Sequence, residues 1–468
     1  MPLSKPRFGS ARLAGYRPSA LSQRSRGSIR TFLAPDQDQM SLSAGNLTVT
    51  LLALMLLLIA AHAGAYVFVR FRQPRVIGEI LGGLLLGPTV LGAVFPTAQA
   101  LLFTQNASAA VVLDACYQLG LLLMMFGAGT EIRSAYLPDE RRTIAAVTAL
   151  GMVIPFVVGL AFVSTLGGEH LIGVAQNRGA FVLVFSLAIA VTSIPVISRI
   201  MSDLGVLDTP FARIVLTVAV VEDVIVYIIL AIAIGLVVPV HGDAFGVPSL
   251  IGLTPGSAVG IAYHTFVTMA FLVCGLFLGP SVYRNVRRSR YNLVKRGNPI
   301  AFQLSFMLGP TVLASFLGVV PLFGAFVAGI AVGSSGSRRA IEARETIRNF
   351  SMAFFIPIYF AIVGLRLDLL RQFSLSFFLL FLAIACIAKA SSVWAGARMV
   401  GESPVGARNL AVALNARGGP GIVLASVALD AGIIASGFYA VLVLVAVLTS
   451  LVAGSWLGHV VRSGQALR

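Results

Sequence analysis

The sequence predicts an all-α polytopic membrane protein. Three observations carry that expectation: scarce charge, long apolar runs that recur through the chain, and basic residues gathered in alternate loops. Of 468 residues only 11% are charged, against about 25% in soluble domains, and the mean hydropathy is +0.93. Water cannot solvate a surface so poor in charge, so most of the chain faces lipid or other helices. Glycine is abundant, at 47 residues, as expected where transmembrane helices approach closely. A net charge of +16 would suggest nucleic acid in a soluble chain. Here the arginines lie in short runs between apolar segments, without interleaved aromatics or a nucleic-acid motif, so no nucleic acid is expected. Cys116, Cys274 and Cys386 sit in apolar stretches without metal-ligand spacing and read as small buried hydrophobes.

A spanning helix needs about 20 mostly apolar residues, and thirteen segments qualify. The first six are Leu47–Val69, Val76–Phe95, Val111–Thr130, Thr143–Leu166, Gly179–Met201 and Pro210–Val237. Ser257–Val282 stands in the middle. The last six are Ile300–Leu317, Val319–Ser334, Ser351–Leu365, Leu375–Arg398, Asn409–Leu429 and Phe438–Val460. With the carboxyl terminus cytoplasmic, inner loops hold the groups Arg70–Arg75, Arg133–Arg142 and Arg338–Arg348. They also hold Tyr283–Gly297, with six basic residues and no acid, whereas outer loops hold only Arg178, Arg366 and Arg371. That is the asymmetry of the positive-inside rule. It predicts a transmembrane domain over 46–461 and a short cytoplasmic tail over 462–468 in a bacterial inner (plasma) membrane. Residues 1–45 are expected to be a disordered basic tail. The part before Asp36 holds seven Lys or Arg and no acid, yet this topology sends it outward. A start at Met40, a processed targeting segment or translocation regardless of charge would each reconcile the two.

An internal match suggests duplication. Gly78–Gly87 (GEILGGLLLG) aligns without gaps on Gly324–Gly333 (GAFVAGIAVG), pairing glycines 78 with 324, 83 with 329 and 87 with 333. Each stretch is the second span of its half. With one helix between the halves, the second half is inverted, giving two inverted six-helix repeats. Secondary transporters commonly follow that plan, with an ion site near mid-membrane.

Few ionisable residues sit deep in the spans, where each costs roughly 2.5–3.5 kcal/mol on insertion scales. Glu222 and Asp223 lie mid-span within Val-Ala-Val-Val-Glu-Asp-Val-Ile-Val. Two adjacent buried carboxylates cannot both stay charged without a cation, protons or both, because burial and like charge each oppose ionisation. Lys389, near the centre of Leu375–Arg398, either snorkels to the interface or pairs with one of them; two buried acids favour pairing. The fifth span of each half carries a breaker: Thr192-Ser193-Ile194-Pro195 in one, Asn415-Ala416-Arg417-Gly418-Gly419-Pro420 in the other. Proline removes a backbone donor and frees the carbonyl one turn earlier. Matching breaks point to discontinuous helices whose freed carbonyls coordinate ions. Arg417 is expected to balance helix carbonyl ends or a carboxylate, and His62 to make an interhelical hydrogen bond. An intramembrane enzyme is disfavoured. Adjacent carboxylates on one helix point about 100° apart and form no dyad, and no HExxH or Ser/Lys hydrolase pattern is present.

From Leu47 to Val460 the sequence resembles the monovalent cation:proton antiporter-2 family. Gly78–Gly92 (GEILGGLLLGPTVLG), Ala190–Leu207 (AVTSIPVISRIMSDLGVL), Val220–Val224 (VVEDV), Phe354–Asp368 (FFIPIYFAIVGLRLD) and Leu414–Gly419 (LNARGG) carry the resemblance, in the family's order. It implies a dimerisation domain interleaved with a core domain whose broken helices cross, an elevator-like movement of that core, and a homodimer. Asp223 matches the family's essential cation- and proton-binding aspartate. Glu222 matches the preceding acid that pairs with a lysine, here Lys389. Thr192 and Ser193 match polar residues that help coordinate the cation. The chain departs from the family in carrying Glu at 222, where Asp is more familiar, and Gly419-Pro420 in the second break. The expected activity is exchange of Na+ or K+ for protons by competition at Asp223, with no cofactor. The carboxylates with Lys389 would permit two protons per cation. A proton-independent cation efflux channel and a sodium-coupled organic-solute symporter are the alternatives.

Overall fold

The computed structural model describes residues 43–71, 73–131, 140–165, 168–193, 197–198, 200–201, 204–207, 209–237, 246–253 and 257–468. The expected basic tail, except its last residues, and Pro195 lie outside the described residues. The helices that matter here are α1 (Ala44–Arg70), α2 (Arg75–Leu86), α3 (Ala107–Glu131), α4 (Arg141–Thr165), α5 (Arg178–Ala190) and α6 (Pro210–Gly235). Then follow α7 (Ala258–Arg288), α8 (Pro299–Phe316), α9 (Pro321–Gly333), α10 (Arg338–Ala353) and α11 (Phe355–Leu365). The last four are α12 (Leu375–Met399), α13 (Pro404–Ala413), α14 (Gly418–Asp430) and α15 (Ser436–Arg462). Among the described residues there is no named strand, only a backbone bridge between Ile172 and Ile434. Among the described residues eleven segments are long and apolar enough to cross a membrane. Two shorter apolar helices, α5 and α9, lie where the fifth and ninth expected segments fall.

Among the expected boundaries that the structure revises, two follow from local chemistry. The segment expected over Ser351–Leu365 starts as an apolar helix only at Phe355; Ser351–Ala353 end the basic helix α10, and Phe354 turns the chain (φ −131°, ψ −66°). Pro357 explains the break: it has no N–H for the carbonyl of Ala353, four residues earlier. His62 of α1 takes that carbonyl through Nε2 at 2.9 Å, the interhelical role expected of it. Helix α10 is amphipathic, burying Ala340, Ala343, Ile347 and Ser351 at three- and four-residue spacing. The segment expected over Asn409–Leu429 begins earlier, at Pro404 behind a Ser403 cap.

Two groups of helices pack mainly among themselves. In one, α2 packs on α1 and α11, α3 on α9 and α11, and α9 on α7 and α8. In the other, α4 packs on α12, α5 on α4 and α6, α13 on α12, and α14 on α15. The matched glycines hold the first group together. Gly78 abuts the backbone of Gly64 in α1, and its counterpart Gly324 abuts Pro310 and Thr311 in α8. Gly83 and Gly87 abut Ala361 and Leu365 in α11; their counterparts Gly329 and Gly333 abut Phe126 and Thr130 in α3. At all six of these glycines a β-carbon would collide with facing backbone, so only glycine lets these helices approach so closely. Each half thus places its second helix on its own first helix and on the other half's third.

Candidate functional site

The site lies where two interrupted helices meet in the second group. Helix α5 stops at Ala190 because Val191 turns extended (φ −64°, ψ 144°), leaving its last carbonyls without intrahelical donors. Helix α13 stops at Ala413, and α14 restarts at Gly418 after Arg417 (φ −105°, ψ 2°). Pro420 falls in the first turn of α14, where a missing N–H costs nothing. A hydrogen bond joins the two breaks: Thr192 Oγ1 donates to the Leu414 carbonyl at 2.7 Å.

Two buried cations occupy the junction. Lys389 of α12 donates from Nζ to both oxygens of Glu222, each at 2.9 Å. It also donates to the Ala190 carbonyl at 2.7 Å and the Gly151 carbonyl at 2.9 Å. Lys389 and Glu222 are both fully buried. Ala190 ends α5, where the helix dipole favours positive charge. Gly151 lies four residues before Pro155, inside α4, so its carbonyl has lost its usual donor. Arg417 reaches the Ile189 carbonyl at 3.0 Å and the Ala385 carbonyl at 2.7 Å, and donates to Asn415 Oδ1 at 2.8 Å. Its backbone N–H donates to Thr449 Oγ1. Arg417 therefore balances carbonyl ends and makes no ion pair with a carboxylate among the described residues.

Asp223 differs from its neighbour. It is 1% exposed, and neither carboxylate oxygen has a hydrogen-bond partner among the described residues. Ser193 Oγ, also fully buried, has none either. A buried carboxylate without donors is costly, so this side chain demands a positive charge or a proton. One turn on, the Tyr227 ring packs against Phe323 and Phe326 of α9, joining the two helix groups. Gly151 and Tyr227 were not singled out in the sequence. The signal for Gly151 was Pro155, which frees a carbonyl at that position.

Two cavities lie at different levels along α3, the first between the helix groups and the second within the first group, among α3, α10 and α11. One of about 680 Å³ is lined by Gln118 and Leu121 of α3, Ala231 and Ile234 of α6, and Asp430 of α14. The other, about 330 Å³, is lined by Glu131 of α3 with Arg344 and Arg348 of α10. Beside the first, Arg366 pairs with Asp430 at 2.9 Å and Asp114 at 3.7 Å. Tyr117 Oη donates to Asp430 at 3.1 Å, under the guanidinium of Arg366.

A many-spanned bundle with two interrupted helices and charged groups at their junction is the build of a secondary transporter. The chain belongs to the family described as sodium/hydrogen exchanger, transmembrane, whose profile matches residues 54–463. It is 28% identical over 395 residues to the Na(+)/H(+) antiporter NhaS4 of Synechocystis sp., covering 82% of this chain and 90% of that protein. It is 26% identical over 422 residues to K(+)/H(+) antiporter 1 of Saccharomyces cerevisiae, covering 88% of this chain but 46% of the yeast protein. Its fold is similar to the sodium proton antiporter MjNhaP1 from Methanocaldococcus jannaschii, with a TM-score of 0.60 at 14% identity, covering 89% of this chain and 99% of that one.

Proposed function

We propose that the chain is a secondary antiporter that exchanges a monovalent cation, Na+ or K+, for protons by competition at Asp223. One observation carries the reading: Asp223 is a buried carboxylate without donors among the described residues, beside a Glu222 already neutralised by Lys389. Only a cation or a proton makes such a group tolerable, and because it accepts either, binding one expels the other. Glu222, Thr192 and Ser193 with the carbonyls of the two breaks complete the cation's surroundings. Asn415, Arg417, Gly418, Gly419 and Pro420 hold the second break open, the part the sequence assigned to Pro195 in the first. Two features support movement of the α4–α6 and α12–α15 group against the other: packing concentrated within each group, and a cavity of about 680 Å³ at the seam between them.

In this reading the chain has thirteen spans in two inverted repeats, supported by the paired glycine contacts. Its basic loops and the Arg462 end of α15 face the cytoplasm of a bacterial cell, and it works as a homodimer in the inner membrane. The test is dissipation of a pH gradient in proteoliposomes by each chloride salt, comparing the wild type with Asp223→Asn. Exchange by a well-inserted Asp223→Asn variant at the wild-type rate removes the proposal.

A further inference from the structure

The first helix group carries a second built feature, remote from the carboxylates. A groove of about 1010 Å³ runs between α7 and α8, floored by Val327 and Ala331 of α9, with almost wholly apolar walls. From Cys274 to Val286, both on its wall, α7 rises about 18 Å, more than the roughly 15 Å of hydrocarbon in one leaflet. At its basic end the groove meets a second cavity of about 590 Å³, and Phe302 lines both. Arg287, Lys295, Arg296, Arg338 and Arg339 line this second cavity, with no acid among its walls. Among the described residues only Arg338 has a carboxylate partner, the exposed Glu342. Arg287 donates to Ser337 Oγ at 2.8 Å, yet its Nε is buried without a partner.

We propose that the groove and its basic cavity together bind one anionic phospholipid, with an acyl chain along α7 and the phosphate among the five cations. Like charges around one cavity repel, and an anionic headgroup is the partner available at that depth on the basic side of a membrane. The apolar continuation past Phe302 separates a lipid from a soluble phosphate, which would fill the basic cavity alone. Bound there, the lipid fixes α7 against α8 and α9, the helices that surround the groove. The inference is independent of the ion site.

The test uses the purified full chain in detergent, with native mass spectrometry reading retained lipid. Dioleoyl phosphatidylglycerol is expected to be held at least about tenfold more tightly than dioleoyl phosphatidylcholine. The triple substitution Arg287→Gln, Lys295→Gln, Arg296→Gln should abolish that preference. Should the triple variant misfold, Arg339→Gln, at an exposed position, serves instead and should reduce it. Gly309→Phe, placed in the groove where a β-carbon meets nothing within 4 Å, should also reduce retention. Exposed Cys274 should be protected from maleimide by phosphatidylglycerol and not by phosphatidylcholine. Equal retention of the two lipids, or retention unchanged by the substitutions, overturns the proposal. So does displacement by glycerol phosphate, or ready Cys274–Cys274 cross-linking in membranes, which would seat a second copy in the groove.

Discussion

Glu222 and Asp223 are one peptide bond apart on α6, equally buried, and differ completely in their surroundings. The roughly 100° turn between successive helical residues sends Glu222 to Lys389, which bonds both its oxygens, while Asp223 meets no donor among the described residues. Lys389 has three N–H donors and four acceptor oxygens within 2.9 Å. Its N–H donors are therefore all engaged, and none is left for the second acid. The difference teaches how one site can hold a stable and a reactive acid side by side: one carboxylate anchors the helix junction, and in the proposed reading its neighbour is left to bind the cation or the proton.

The sharpest way to break this comparison is to neutralise the unpaired member. Asp223→Asn is expected to reduce cation-dependent pH-gradient dissipation to background while the purified protein melts no lower than wild type, since no native partner is lost. Lys389→Met attacks the paired member. It strands a buried Glu222 and the Gly151 and Ala190 carbonyls, and should cost about 3–5 kcal/mol of stability, read as a fall in melting temperature. Adding Glu222→Gln to it should recover much of that loss, and a double-mutant cycle without coupling would contradict the pairing. Thr192→Val removes the bond between the two breaks and leaves the Leu414 carbonyl unmet, at about 1–3 kcal/mol, measurable by the same thermal assay. Arg366→Gln lies farthest from the carboxylates. Its ion pair with Asp430 is partly exposed, so the stability change should stay below about 1 kcal/mol, with exchange retained.

Much of this arrangement was legible beforehand, for physical reasons. Apolar length locates spans because lipid leaves the backbone few choices, and buried opposite charges pair because isolation is costly, which put Lys389 with one of the two acids; the family resemblance named Glu222. What escaped the sequence was the partnership of backbone carbonyls. Pro155 and Pro357 announce that Gly151 and Ala353 lose donors, but not which side chain arrives; Lys389 and His62 come from helices far away in the chain. The α10–α11 break was blurred because hydropathy averages across a turn of one residue. Arg417 was left between carbonyl ends and a carboxylate, and only its position against Ile189 and Ala385 separates the two.

The glycine contacts of the first helix group have an evolutionary consequence. Beside Gly64, Gly78, Gly83, Gly129, Gly324, Gly329 and Gly364, facing backbone occupies the space a single methyl would need. In most helices alanine is the gentler residue, by up to about 1 kcal/mol. Here that ranking should invert: a saturation library under selection would purge alanine from these seven codons almost as fast as leucine. What drift must conserve at them is the lack of an atom.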